Sequence, residues 1–467
     1  MPPAAKGKLG LDLAKVAVTT RQHATDGGET SVKTATRILA GAAIALLLVH
    51  PVLAQTGPSG AFDVETATRA YLDTLQGPAR AKSDAYFEGG YWLILWGALV
   101  SVLVDGLLLR FGLASRFRTA AERVFKRPSG ITWLTALLYS LVGATIALPW
   151  TVYTAFFRER QYGLMNQDFA GWFADYGKSL AISLVIFPLL AMAVYAAIRR
   201  FPRNWWLLGT GIVAAFLAVG MLAAPVYIAP LFNKYTELPA GPVRDRIVAM
   251  AAANHVPAEH IYLFDASKQT DRISANVSGI GPTIRISLND NLLKRTSEAE
   301  TAAVMGHELG HYVLNHVWIG LAAFSALAGL ALFLVSRIAP ALIARHGARW
   351  GVHGIADPAS MPVLSICFTV FGLLATPVTN SIIRIDESQA DAFGLDAAKE
   401  PDGFASVAMK LAQYRKIEPG ALEEFLFFDH PSGATRVRMS MQWKKDHVPG
   451  AQMITPPHMP QSGPGKE

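Results

Sequence analysis

The sequence predicts a mainly α protein, a multi-pass transmembrane helical bundle carrying a small α+β region. Three observations lead there. Of 467 residues, 52% are hydrophobic and only 16% charged, against about 25% charged in soluble proteins. Six apolar runs, near 92–109, 131–153, 179–198, 205–229, 317–338 and 361–383, approach the ~20 residues that a spanning helix needs. Two polar stretches, 230–316 and 384–445, flank the last two runs and so fall on one side of the membrane.

The elements follow in chain order. Residues 1–54 read as a polar leader followed by an apolar stretch, 38–49, with Val52-Leu53-Ala54 resembling a signal-peptidase site. An uncleaved first membrane helix is the alternative. Residues 55–229 hold four of the runs and their loops. Tyr91, Trp92, Trp205, Trp206 and Trp318 near run ends fit an interfacial aromatic belt. Asp105, inside the first run, is expected to face a cavity as a structural group. In 230–316, Ile261-Tyr262-Leu263-Phe264 and Thr283–Leu288 read as short strands. Ser297-Glu298-Ala299-Glu300 is a capping-box pattern that starts a helix running to about His316 and into the fifth run. Residues 317–383 carry two membrane helices, and 384–445 form a second polar region. The Pro- and Gly-rich 446–467 are expected to be disordered.

Composition excludes several functions. The net charge of +7 lies mostly in short loops between apolar runs, which reads as topology and not as nucleic-acid binding. No nucleic-acid partner and no dinucleotide cofactor are expected. Cys367 is the single cysteine and lies in an apolar run, so neither an intrachain disulfide nor a thiol nucleophile is expected.

The chemistry is carried by His307-Glu308-Leu309-Gly310-His311, an HExxH pattern. Residues four apart share a helix face, so both histidines can offer a ring nitrogen to one zinc ion. Glu308 lies beside that ion, placed to act as general base. The pattern arises by chance in roughly one such chain in a hundred. A third ligand is still needed. Val317 and Leu314 stand where metzincins carry His and Gly, which excludes that class. Glu387 and Asp391 are four apart on a later helix. Glu387 can ligate zinc, and Asp391 can orient a ligand histidine. Alone, the two read as ordinary solvated charges; paired with HExxH, the metal reading prevails.

Several stretches then resemble the type-I CAAX prenyl endopeptidases, integral-membrane zinc metallopeptidases. They are Arg158-Glu159-Arg160-Gln161-Tyr162-Gly163-Leu164-Met165-Asn166-Gln167, Tyr227-Ile228-Ala229-Pro230-Leu231-Phe232-Asn233-Lys234-Tyr235 and Asp265-Ala266-Ser267-Lys268. HELGH, the Glu387–Asp391 run and His430-Pro431 with Arg436 complete the set, which spans roughly 90–440. The resemblance implies membrane helices around a chamber that admits extended or unfolded protein segments. It implies one Zn2+ held by His307, His311 and Glu387, with Glu308 as catalytic acid/base. It implies His430 and Arg436 near the substrate carbonyl or oxyanion, a role their hydrogen-bond donors suit. It also implies that Ser274, Ala275, Asn276, Val277 and Gly279 form a strand that pairs with the substrate backbone. Ser274 replaces the family's Asn, so the resemblance carries over the backbone pairing there and not any contact of the Asn side chain. Glu159 and Asn166 match family positions, with no role readable from the sequence.

Rival classes fit less well. Intramembrane site-2 proteases bury HExxH in a span, whereas His307 precedes one. The heat-shock type of membrane zinc peptidase has fewer spans and lacks the 158–167 segment. The functional expectation is thus a membrane zinc endopeptidase acting on peptide or protein substrates in a lipid bilayer, with CAAX-box processing as the activity the resemblance suggests. A catalytically silent scaffold of the same fold is the alternative. Loop charge adds sidedness: Arg116, Arg118, Arg123, Lys126 and Arg127, then Arg199, Arg200 and Arg203, then Arg337, Arg345 and Arg349 fall on one side with the basic N-terminus. Positive-inside makes that side cytoplasmic. The polar regions then face the periplasm or its equivalent across the cell (inner) membrane, whereas the eukaryotic relatives are expected to face the cytosol.

Overall fold

The computed structural model describes residues 62–279 and 284–457. The expected signal peptide or first membrane helix, Thr283 and the end of the tail lie outside the described residues. Among those described, six helices are long and apolar enough to cross a membrane: Gly77–Arg110, Pro128–Gln161, Phe169–Arg200, Trp205–Leu231, His316–Trp350 and Pro358–Ala398. They are longer than the apolar runs that announce them, because hydropathy marks only the part that lipid surrounds. At 1.5 Å per residue the fifth, of 35 residues, is about 50 Å long and overshoots a ~30 Å hydrocarbon core. At most 28% of any span's most apolar window is buried, and none in Trp205–Leu231. Most of each span's apolar surface is therefore left free for lipid. Asp105 sits 3% exposed, accepts a 2.8 Å hydrogen bond from the Tyr139 hydroxyl, and lines a cavity of about 300 Å³.

One end of the spans is basic. The helix Leu113–Val124 packs there against the loop before the last span, and Arg118 donates to Gly351 O at 3.3 Å and Asp357 Oδ2 at 2.5 Å. Arg116, Arg123, Lys126, Arg127, Arg200, Arg203, Arg345 and Arg349 are exposed at this end. A core of Ile198, Trp205, Ile343, Val352, Ala359 and Met361 holds it together.

The opposite end carries a four-stranded sheet. Its strands are β1 (Tyr235–Glu237), β2 (Ile261–Phe264), β3 (Ala275–Ser278) and β4 (Arg285–Asn289), in the order β1-β2-β4-β3. The β2–β4 pair is parallel and the others antiparallel, with Ala275 opposite Leu288 and Val277 opposite Ile286. Strand β3 is an edge. Ile261, Ala275, Ile286 and Leu288 pack against Ala302, Met305 and Leu309 of the helix Glu298–Val313. The capping box at its start is complete: Ser297 N donates to Glu300 Oε2 at 2.6 Å, and Glu300 N to Ser297 Oγ at 3.3 Å. This helix does not continue into the fifth span. Asn315 adopts a left-handed conformation (φ 60°) and a new helix begins at His316. Asn tolerates that conformation at low cost, so the junction is a designed break. The boundary drawn at 383/384 falls inside the unbroken helix Met361–Ala398, so the last span and the second polar region share one rod.

The segment 158–167 fastens the membrane part to the sheet. Glu159 accepts from Tyr86 Oη and from Arg272 Nη2, both at 2.7 Å, and Asn166 Nδ2 donates to Ser267 O and Asp271 Oδ1. These contacts give Glu159 and Asn166 the role the sequence did not reveal.

Candidate active site

Two helices build the site, and glycine lets them close. The helix Glu298–Val313 presents His307, Glu308 and His311, and the last span's extension presents Glu387 and Asp391. Where they cross, a Cβ on Gly394 would lie 2.7 Å from His307 N, and one on Gly306 would lie 2.8 Å from Gly394 O. Only glycine on both sides permits this approach.

The distances are short enough for a common ligand. His307 Nε2 lies 3.1 Å from His311 Nε2 and 3.3 Å from Glu387 Oε2, and His311 Nε2 lies 3.5 Å from Glu387 Oε1. The outer nitrogens are committed elsewhere. His307 Nδ1 lies 2.8 Å from Asp391 Oδ1, and His311 Nδ1 lies 3.0 Å from His316 Nδ1. Two imidazole nitrogens and a carboxylate facing one another call for a cation among them. A proton meets part of that demand. Burial depresses the His307 pKa, yet Asp391 and Glu387 outweigh it and raise it to about 10. Burial and the charge on His307 lower His311 to about 4, so the pair carries a single positive charge. The donor set, its closeness and this unmet demand fit a metal ion.

Glu308 opens onto a cavity of about 150 Å³ lined also by Ser274, Ala275, Glu387, His430 and Arg436. Burial pushes its carboxyl up to about 7, against the pull of His307. His430 Nε2 lies 3.2 Å from Glu387 Oε2, while its Nδ1 lies 2.8 Å from Asp429 Oδ1. The loop that carries it is tied to the last span: Arg384 Nη1 donates to Glu424 O at 2.9 Å and Phe428 O at 2.5 Å, and Asn380 Nδ2 to Leu426 O. Ser274 and Ala275 reach the cavity. Asn276, Val277 and Gly279 line a second one of about 760 Å³ on the far side of His311. The structure thus brings the sequence-derived site residues to two cavities beside β3, with Asp391 buried behind His307.

Arg436 lines the Glu308 cavity, where the sequence reading expects a group near the substrate carbonyl or oxyanion, and it also reaches behind His307. It is 8% exposed, and its Nε and Nη2 both donate to Asp391, at 2.8 and 2.5 Å. A wholly buried carboxylate at position 391 needs those donors, so Arg436 also meets the site through Asp391 and His307. Sequence reasoning missed Asp429, Asn380, His316 and Gln389. Only His316, five residues past His311, left a readable signal.

Two family models match successive stretches of the chain. The model described as CAAX prenyl protease N-terminal, five membrane helices, matches residues 70–234, and that of peptidase family M48 matches 237–444, a stretch holding both helices of the site. The chain belongs to peptidase family M48. Among relatives of this M48 chain is the Bacillus subtilis protein named uncharacterized metalloprotease YhfN, 28% identical over 80% of this chain and 87% of that protein. CAAX prenyl protease 1 of Saccharomyces cerevisiae is 27% identical over 73% and 76%. The crystal structure of S. mikatae Ste24p shares the fold, with a TM-score of 0.67 at 19% identity, covering 81% of this chain and 95% of that one. The M48 chain is therefore a multi-pass membrane metalloprotease of the CAAX prenyl protease-like kind. Its family implies a metal cofactor, a protein substrate and a bilayer around its helices.

Proposed function

We propose that this M48 chain is a membrane zinc endopeptidase. In this reading His307, His311 and Glu387 hold one Zn2+, and the enzyme cleaves extended or unfolded protein segments. The observation that carries it is the inward turn of two Nε2 atoms toward Glu387, with both Nδ1 atoms already occupied. Two imidazoles and one carboxylate are the donor set that zinc takes in hydrolases. Bound there, zinc supplies Lewis acidity toward water and the scissile carbonyl.

The chain's own residues do the rest. Glu308, poised near neutrality, takes the proton of the attacking water and hands it to the leaving amine. His430 lines the cavity with its ring oriented by Asp429, and its doubly protonated form donates from Nε2 to the developing oxyanion. Asp391 and Arg436 hold His307 in the ligating tautomer. The edge strand β3 offers unpaired backbone groups from Ala275 to Ser278, so an extended segment adds to the sheet and runs past Glu308. The six sparsely buried spans fit a ring around an interior chamber that excludes folded proteins. The exposed arginines at the far end favour a site facing the periplasm or its equivalent.

Glu308→Gln tests the reading against a silent scaffold. The variant is expected to keep its zinc and lose cleavage of an unfolded peptide, while the unaltered chain cleaves it in a chelator-sensitive way. Cleavage by Glu308→Gln at the unaltered rate removes Glu308 from the chemistry.

A further inference from the structure

We propose that His316 fixes the tautomer of His311 through a hydrogen-bond relay ending on Gln389, and so governs whether His311 can ligate metal. The inference rests on the reading of His311 as a zinc ligand. His316 is the first residue of the fifth span and is 5% exposed. Its Nδ1 lies 3.0 Å from His311 Nδ1, and its Nε2 lies 3.1 Å from Gln389 Oε1. The two rings meet edge to face, with centroids 5.1 Å apart.

Only one hydrogen fits between two Nδ1 atoms. With the Gln389 carbonyl facing it, His316 carries its hydrogen on Nε2, and its Nδ1 is bare. His311 must then donate from Nδ1, which leaves its Nε2 lone pair turned toward Glu387. A reversed Gln389 amide would run every hydrogen the other way and place one on His311 Nε2, where a metal must bind. The relay therefore has a direction. His307 has no such freedom, because Asp391 can only accept. His311 is the ligand whose state another imidazole decides.

The backbone is built for this contact. On a straight helix, residues five apart point about 140° away from each other. The left-handed Asn315 breaks the helix between them and lets His316 turn back onto His311. Gln389 lies two residues beyond Glu387 on the last span, so the relay closes on the helix that supplies the third ligand.

The test measures zinc retention by the purified full-length protein against a metallochromic chelator, with cobalt substitution as a spectroscopic readout. His316→Leu removes the acceptor and is expected to weaken zinc binding about 10- to 100-fold. His316→Asn puts Oδ1 near the place of Nδ1 and is expected to restore both the affinity and the cobalt spectrum. Gln389→Leu, at an exposed side chain, carries the test if His316→Leu fails to fold, and is expected to weaken zinc binding in the same direction. A folded His316→Leu or Gln389→Leu that binds zinc like the unaltered protein overturns the relay. An unaltered protein that takes up no zinc overturns the underlying site reading instead.

Discussion

Arg436 closes on Asp391 with two donors, Nε at 2.8 Å and Nη2 at 2.5 Å, and Asp391 in turn lies 2.8 Å from His307 Nδ1. Removing one partner of such a buried pair costs about 3–5 kcal/mol. Arg436→Lys keeps a charge and loses the fork. A residue acting only on the oxyanion would lower kcat and leave metal binding untouched. Acting through Asp391, Arg436→Lys is expected to weaken zinc retention about 10- to 100-fold as well. Unchanged chelator competition would return Arg436 to the substrate side.

Glu300 gives a stability that depends on pH. Burial raises its pKa, but Lys410 Nζ at 2.7 Å, Ser406 Oγ at 2.5 Å and the Ser297 N–H outweigh burial and lower it. A carboxyl lowered on folding stabilises fully above its unfolded value, about 4.3, and loses that contribution as pH falls through the lower folded value. Glu300→Gln is expected to cost about 1.5–3 kcal/mol at pH 7. Melting both proteins with chelator present, the gap should shrink on acidification into the carboxylate range; a gap constant from pH 7 to 3 contradicts this account.

The glycine contact predicts a mutation with no polar content. Gly394→Ala places a Cβ 2.7 Å from His307 N. Overpacking of this kind costs about 1–3 kcal/mol. It also pushes Glu387 away from the two histidines, so zinc retention should fall even in protein that remains folded. Wild-type zinc affinity in a folded Gly394→Ala would show that the helices tolerate the spacing.

Sidedness can be read with reporters. A fusion after residue 445 is expected to report outside the cytoplasm, and one in the loop near Arg203 inside it. A C-terminal reporter active only in the cytoplasm reverses the orientation.

The sequence made the candidate metal site legible through one period. Four-residue spacing placed His307 with His311 and Glu387 with Asp391, because both pairs lie on single helices. Arg436 was harder: its partner lies 45 residues away, and no local pattern reports whether a buried arginine faces substrate or carboxylate. The overhang of the last span was hidden for a different reason. Hydropathy ends near residue 383, while the backbone hydrogen bonding continues to Ala398. Asn315 was missed because one left-handed residue leaves the apolar pattern on both sides intact. Strand β1, three residues long, is too short to show alternation.

The unbroken helix Met361–Ala398 makes the bilayer a mechanical part of the catalyst. Its lower half is gripped by acyl chains, and its upper half holds a carboxylate that must stay within ångströms of two rings on another helix. Tilt forced by a thinner or thicker hydrocarbon layer is carried along the rod to Glu387 as a lever carries a load. Lipid chain length should therefore tune turnover without touching any residue of the site, which a series of reconstitutions in bilayers of graded thickness would measure.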